Sequence, residues 1–173
     1  AGIEVVEGIL ESEATELNRG FIARVTRNLP FVTLKMAMSI DSRTATKTGD
    51  SKWITGEKAR YSSHFLRSKH DAILTGIGTV LGDNPILNTR ISGLENRSPT
   101  RIIMDTKLRL PVDSHIVSTA TKYKTIICTT GAAEKSKKKH IESFGLQVVT
   151  LTGNKSGRVS LIETLEFLAA KGI

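Results

Sequence analysis

The sequence predicts an α/β fold, a sheet with substantial parallel pairing and helices on its faces. Two observations carry that prediction. Short apolar runs rich in β-branched residues alternate with helical patterns at the spacing of βαβ units. The chain has 173 residues, 39% of them hydrophobic and 24% charged, enough for one good-sized core that needs no disulfide or metal staple.

The elements follow in order. A short strand-like run, IEVVEG at 3–8, precedes an amphipathic helix over 11–27, in which Ala14, Leu17, Phe21 and Val25 recur every three to four residues. Asn28, Leu29 and Pro30 break it, because proline lacks a donor and biases its predecessor toward extended geometry. A domain boundary is placed there, dividing 1–29 from 30–173. VTLKMAMSID at 32–41 reads as a strand: Val32, Leu34, Met36, Met38 and Ile40 on one face, Thr33, Lys35, Ala37, Ser39 and Asp41 on the other. The second face is either the solvated side of an ordinary half-buried strand or a pocket wall.

Residues 42–52 (SRTATKTGDSK) are polar and read as a mobile loop ending at Trp53, the single tryptophan. A helix is expected from about Gly56, with Thr55 as N-cap. AIL at 72–74 reads as a strand feeding a glycine-rich turn, and 92–99 as a polar connection. RIIMD at 101–105, HIVS at 115–118, KTIICTT at 124–130 and LQVVTL at 146–151 read as strands, with a basic helix, GAAEKSKKKHIESFG, before the last. Ser160 and Glu163 form a capping box for a helix carrying Leu161, Leu165 and Leu168 on one face and running to Lys171 and Gly172. An apolar start without lead-in and a stop directly after a helix predict further sequence at both ends.

Lys and Arg number 25 against 17 Asp and Glu, a formal net charge of +8. That suits nucleic acid, an anionic membrane surface or phosphorylated small molecules. With 5% aromatics and no base-stacking motif, nucleic acid is the minor reading, and the Lys135 to His140 run is most simply a solvated helix face. No run is long and apolar enough for a membrane span, and the first residues lack a signal-peptide pattern. Lone Cys128 lies in an apolar run as an inert thiol, which fits a reducing, cytoplasmic setting. His64, His70, His115 and His140 are scattered, so no metal site is read.

Gly76, Gly78 and Gly82 are spaced G-x-G-x-x-x-G, which departs from the dinucleotide fingerprint, and a tight turn closing a strand explains them equally well. Thr79 and Asp83 there either hydrogen-bond a ligand or cap the next turn. His64 and Arg67, three apart on one helix, share an anion or face water. Arg67 and Arg90 bracket the glycine turn in sequence, and arginine suits bidentate phosphate contact.

Three stretches, LKMAMSIDSRTATKTGDSKWITGEKAR, LRSKHDAILTGIGTVLGDNPILNTR and RIIMDTKLRLP, resemble the reductase domain of the bifunctional riboflavin-biosynthesis deaminase/reductases of the RibD family. The likeness is dense from Pro30 to Pro111 and looser beyond. The resemblance implies a fold similar to dihydrofolate reductase, a mixed, mostly parallel sheet flanked by helices, that binds NADPH. It implies reduction of the ribose of 5-amino-6-(5-phosphoribosylamino)uracil to a ribityl chain, with hydride passing to C1' of the opened sugar. Carried over residue by residue, cofactor contacts fall on Ala37, Trp53, Thr79, Asp83 and Thr106, and substrate contacts on Ser51, Arg67, Leu87 and Arg90. Lys35 matches the family's strand lysine, and an acid or electrostatic role is expected for it.

The resemblance further implies a homodimer and a cytoplasmic location. Residues 1–29 resemble the tail of a zinc-dependent pyrimidine deaminase domain whose own HAE and paired PC motifs are not in this chain, so zinc is expected only there. The family's EGG segment would follow Ile173. Ser42 stands where the family has glycine, so a left-handed backbone at that position would be strained. Another reductase of the same architecture and a basic non-catalytic nucleotide- or RNA-binding module are the rival expectations.

Overall fold

The structure, a computed structural model, describes residues 2–173. Two compact units make up the chain: the N-terminal segment through Thr33 together with Ile162–Ile173, and Leu34–Leu161.

In the first unit the expected single helix is two, α1 (Glu11–Leu17) and α2 (Arg19–Arg27). They part at Asn18, whose Nδ2 donates to the Ala14 carbonyl at 2.8 Å, the local side-chain competition that makes asparagine a poor helix interior residue. Asn28 closes α2 in the left-handed region, φ 53°, with its N–H donating to the Arg24 carbonyl. Residues 3–8 form no strand. Helix α7 (Leu161–Ala170) ends at Gly172, φ 82°, where Gly172 N–H donates to the Ala169 carbonyl and Ile173 N–H to the Leu168 carbonyl. That pair of bonds is a Schellman C-cap, which requires the left-handed glycine.

The second unit holds α3 (Glu57–Ser68), β1 (Ala72–Gly76), α4 (Ile77–Asp83), β2 (Thr100–Met104), α5 (His115–Ser118), β3 (Thr125–Thr129), α6 (Lys135–Glu142) and β4 (Gln147–Thr150). The strands lie in sequence order, β1-β2-β3-β4, and every neighbouring pair is parallel. Strands β2 and β3 are central and buried on both faces, which is why they read as continuous apolar runs. Ile103 and Ile127 from one face pack with Ile77, Val80, Leu108, Ile116, Ile141 and Val148 into one core.

Four expectations are corrected. HIVS is the helical turn α5, where Ile116 and Val117, adjacent in sequence, are both buried. A four-residue apolar run cannot distinguish strand from helix by period, and the choice is made by Asn84, whose Oδ1 accepts from the His115 N–H at 2.8 Å. The glycine-rich turn is itself helix α4, drawn in by buried Ile77 and Val80 three residues apart. Gly56, not Thr55, is the N-cap of α3, without a side-chain cap; the Thr55 carbonyl instead accepts from Arg60 Nη1 at 2.7 Å. Residues 32–41 join no sheet: they lie in no strand ladder, and Val32, Leu34, Met36, Met38 and Ile40 are exposed. The left-handed backbone at Ser42 is present, φ 61°.

Candidate active site

The sheet register aligns Gly76 with Met104, Met104 with Cys128 and Cys128 with Val149, so the carboxyl ends of the four strands form one edge. Parallel α/β sheets bind ligands outside that edge. Helix α4 leaves that edge directly after β1 and carries Thr79 in its first turn and Asp83 at its end, both exposed. Thr106 follows β2 at the same edge; its carbonyl accepts from Thr129 Oγ1 (3.0 Å) and Thr130 Oγ1 (3.2 Å), and its own hydroxyl accepts from Val159 N–H (3.2 Å). Thr106 thus ties the end of β2 to 129–130 and 159.

Helix α3 organises the other half. Arg60, His64 and Arg67 recur at helical spacing along one face, about 10 Å from first to last at 1.5 Å per residue. The Arg60 guanidinium stacks 4.5 Å above the ring of Trp53, which is otherwise exposed. Ser51, half-buried, follows a turn closed by Thr46, whose carbonyl and Oγ1 accept from the Gly49 and Asp50 N–H groups.

Arg67 and Arg90, apart in sequence, are brought together. Arg67 Nη1 donates to the Asn88 carbonyl at 2.6 Å. Arg90 places Nε and Nη2 at 3.3 and 3.2 Å from His64 Nε2. Burial, with Arg90 adding to it, holds the Arg67 guanidinium below the ordinary arginine range. Burial first, then the charges of Arg67 and Arg90, hold the His64 imidazole below its usual value, so the ring is neutral at neutral pH. Ion pairs among the described residues join Arg19 to Glu16, Arg43 to Asp41 and Arg60 to Glu57; none neutralises Arg67 or Arg90. Two guanidiniums lie close enough to oppose each other's charge, with no carboxylate paired to either among the described residues.

The loop presenting Leu87 and Arg90 is clamped. Leu87 is buried in the left-handed region at φ 59°, a conformation that costs a non-glycine residue about 1–2 kcal/mol. On one side of it the Asn88 carbonyl is held by Arg67; on the other the Ile86 carbonyl accepts from Arg101 Nη1 at 3.2 Å. Arg101 is fully buried, has no carboxylate partner among the described residues, and also donates to the Thr125 and Thr119 hydroxyls and to the Ile116 and Tyr123 carbonyls. Burial lowers its pKa to about 10, which leaves it charged at neutral pH. Sequence reasoning read Arg101 as the start of a strand and left His64 undecided; the doublet RI at a strand start carries no signal for a buried cation.

Lys35 and Ala37 are not on a strand face. Lys35 is exposed and Ala37 half-buried on the 32–41 segment, which joins no sheet. The structure joins Arg67 and Arg90 through Asn88 and His64.

Residues 30–173 match the model of the RibD C-terminal domain. The riboflavin biosynthesis protein RibD of Bacillus amyloliquefaciens is 42% identical over 173 residues, covering all of this chain and 45% of that protein, and that of Actinobacillus pleuropneumoniae is 39% identical over 168, covering 97% and 44%. The chain thus spans under half the length of these relatives. Among solved structures, the diaminohydroxyphosphoribosylaminopyrimidine deaminase/5-amino-6-(5-phosphoribosylamino)uracil reductase of Thermotoga maritima matches with a TM-score of 0.79 at 34% identity, over 99% of this chain and 45% of that one. A Saccharomyces cerevisiae riboflavin biosynthesis reductase matches at 0.60 and 28%, over 90% and 66%. A parallel four-stranded sheet with flanking helices, shared with these reductase domains, is the dihydrofolate-reductase-like α/β fold. The chain belongs to the RibD C-terminal domain family.

Proposed function

We propose that this chain is the reductase domain of a riboflavin-biosynthesis enzyme, reducing the ribose of 5-amino-6-(5-phosphoribosylamino)uracil to the ribityl chain with NADPH. The observation that carries this reading is the pair Arg67 and Arg90, pinned near each other with no carboxylate to neutralise them. A phosphate monoester supplies the missing charge and can take two N–H groups from each guanidinium. Leu87, buried beside them, offers apolar contact to the sugar or base.

The residues present fit a nicotinamide cofactor. The hydroxyls of Thr79 and Thr106 and the Asp83 carboxylate, on the segments that follow β1 and β2, are a donor and acceptor set suited to ribose and amide groups, and Trp53 offers an aromatic face. NADPH, when bound, supplies the hydride. Arg67 and Arg90 anchor the phosphate so that the sugar's C1' is held in one place, and that positioning is the larger part of the protein's task. Lys35 is the ammonium that stabilises the opening ribose, and Ala37 and Ser51 complete the cofactor and substrate contacts.

Residues 1–29 are the tail of a zinc-dependent deaminase domain in the same cytoplasmic, homodimeric parent protein. The test is NADPH oxidation by the intact protein with and without the phosphoribosylaminouracil. Substrate-dependent oxidation with ribityl product is the expected result; NADPH that neither binds nor is consumed overturns the reading.

A further inference from the structure

We propose that His64 is a positioning residue for the phosphate site: its neutral imidazole accepts from the side edge of the Arg90 guanidinium and turns that group's free end toward the substrate's phosphate. The inference rests on the reductase reading above. Its geometry is that of one ring meeting three N–H donors of Arg90: the backbone N–H lies 3.3 Å from His64 Nδ1, while Nε and Nη2 lie 3.3 and 3.2 Å from Nε2. A neutral imidazole has one lone pair in its ring plane, so one nitrogen carries the hydrogen.

The charged donor decides which. Two N–H groups of a guanidinium converge on Nε2, and charge-assisted hydrogen bonds outweigh one long amide contact, so the lone pair belongs on Nε2 and the hydrogen on Nδ1. The Asn88 backbone, whose carbonyl accepts from Arg67, also interacts with His64. With the hydrogen on Nδ1 the Arg90 N–H gives up that acceptor, and α3 is joined to the 84–99 loop by Arg67 on the Asn88 carbonyl and by the Arg90 guanidinium on His64 Nε2.

The consequence is geometric. With Nε–H and one Nη2–H given to His64, the guanidinium keeps Nη1–H and the second Nη2–H, a pair that matches two phosphate oxygens. Without the imidazole, Arg90, which is exposed and has no carboxylate partner among the described residues, samples other rotamers and loses part of its affinity. Arg67 and Arg90 are the charged groups that act on the ring, and both oppose its protonation.

The test uses the intact protein. His64→Ala is expected to raise KM for the phosphorylated substrate about tenfold with KM for NADPH unchanged, and His64→Gln, whose amide oxygen also accepts, to restore it to within about twofold. An unchanged KM in His64→Ala, or a Gln variant as weak as the Ala variant, overturns the inference and leaves the reductase reading standing. Wild-type protein that consumes no NADPH with this substrate overturns the reading itself. Independently of turnover, a nitrogen-15 imidazole spectrum of the wild type should show the hydrogen on Nδ1. A hydrogen on Nε2, or substrate binding that tightens at pH 6 in the wild type but not in His64→Gln, shows His64 acting as a third cation and overturns the positioning role.

Discussion

Replacing Arg101 should be among the most damaging single changes in this chain. Its guanidinium is fully buried and serves the carbonyls of Ile86, Ile116 and Tyr123 and the hydroxyls of Thr119 and Thr125. Tyr123 keeps a bond from Thr125 Oγ1 when the arginine is lost, and Thr119 Oγ1 keeps the His115 carbonyl. The Ile86 and Ile116 carbonyls are left as buried acceptors, each costing about 1–3 kcal/mol. The vacated volume adds to this in Arg101→Ala, while relief from burying an unpaired charge subtracts. A net loss of about 3 kcal/mol is expected for Arg101→Ala, and about 2 kcal/mol for Arg101→Met, which keeps the stem's packing and removes the donors.

Urea unfolding followed by circular dichroism reads both variants, with the midpoint reporting stability and an unchanged slope confirming that the folded and unfolded states remain comparable. Against a total of about 5–15 kcal/mol for a domain, the Ala variant should unfold at far lower urea. Because Arg101 also pins Ile86 beside strained Leu87, the Met variant should lose affinity for the phosphorylated substrate beyond what its stability explains. If both variants unfold within about 0.5 kcal/mol of wild type, the guanidinium is not what satisfies those carbonyls, and the clamp argument fails.

Lys35→Ala should cut turnover by about 100-fold or more while the NADPH dissociation constant stays put, as fluorescence titration would show; intact turnover removes the lysine from the chemistry. Arg67→Lys should raise KM for the phosphorylated substrate about tenfold in steady-state assays, since one ammonium cannot hold both the Asn88 carbonyl and a phosphate edge. Ser42→Gly should raise the melting temperature slightly, by up to about 1 kcal/mol of stability, because φ is 61° there; a clear loss of stability would show that the serine hydroxyl, not the backbone, matters.

The parallel sheet was legible from the chain because β2 and β3 are buried on both faces, so TIICT and RIIM read as strands whatever surrounds them. Arg67 and Arg90 stood out in the chain because they bracket the glycine turn and arginine suits bidentate phosphate contact; that Arg67 meets Asn88 and Arg90 meets His64 did not. Local period failed where the partner lies far along the chain. HIVS became helical because Asn84, 31 residues earlier, receives its first N–H, and VTLKMAMSID has the alternation of a strand but finds no ladder in this structure. Burial of an unpaired Arg101, the left-handed turn at Leu87 and the meeting of His64 with Arg90 were decided by tertiary structure alone. The reason is physical: hydrophobic period is a property of consecutive residues, whereas satisfying a buried carbonyl or aiming a guanidinium depends on groups that only folding brings within hydrogen-bond reach.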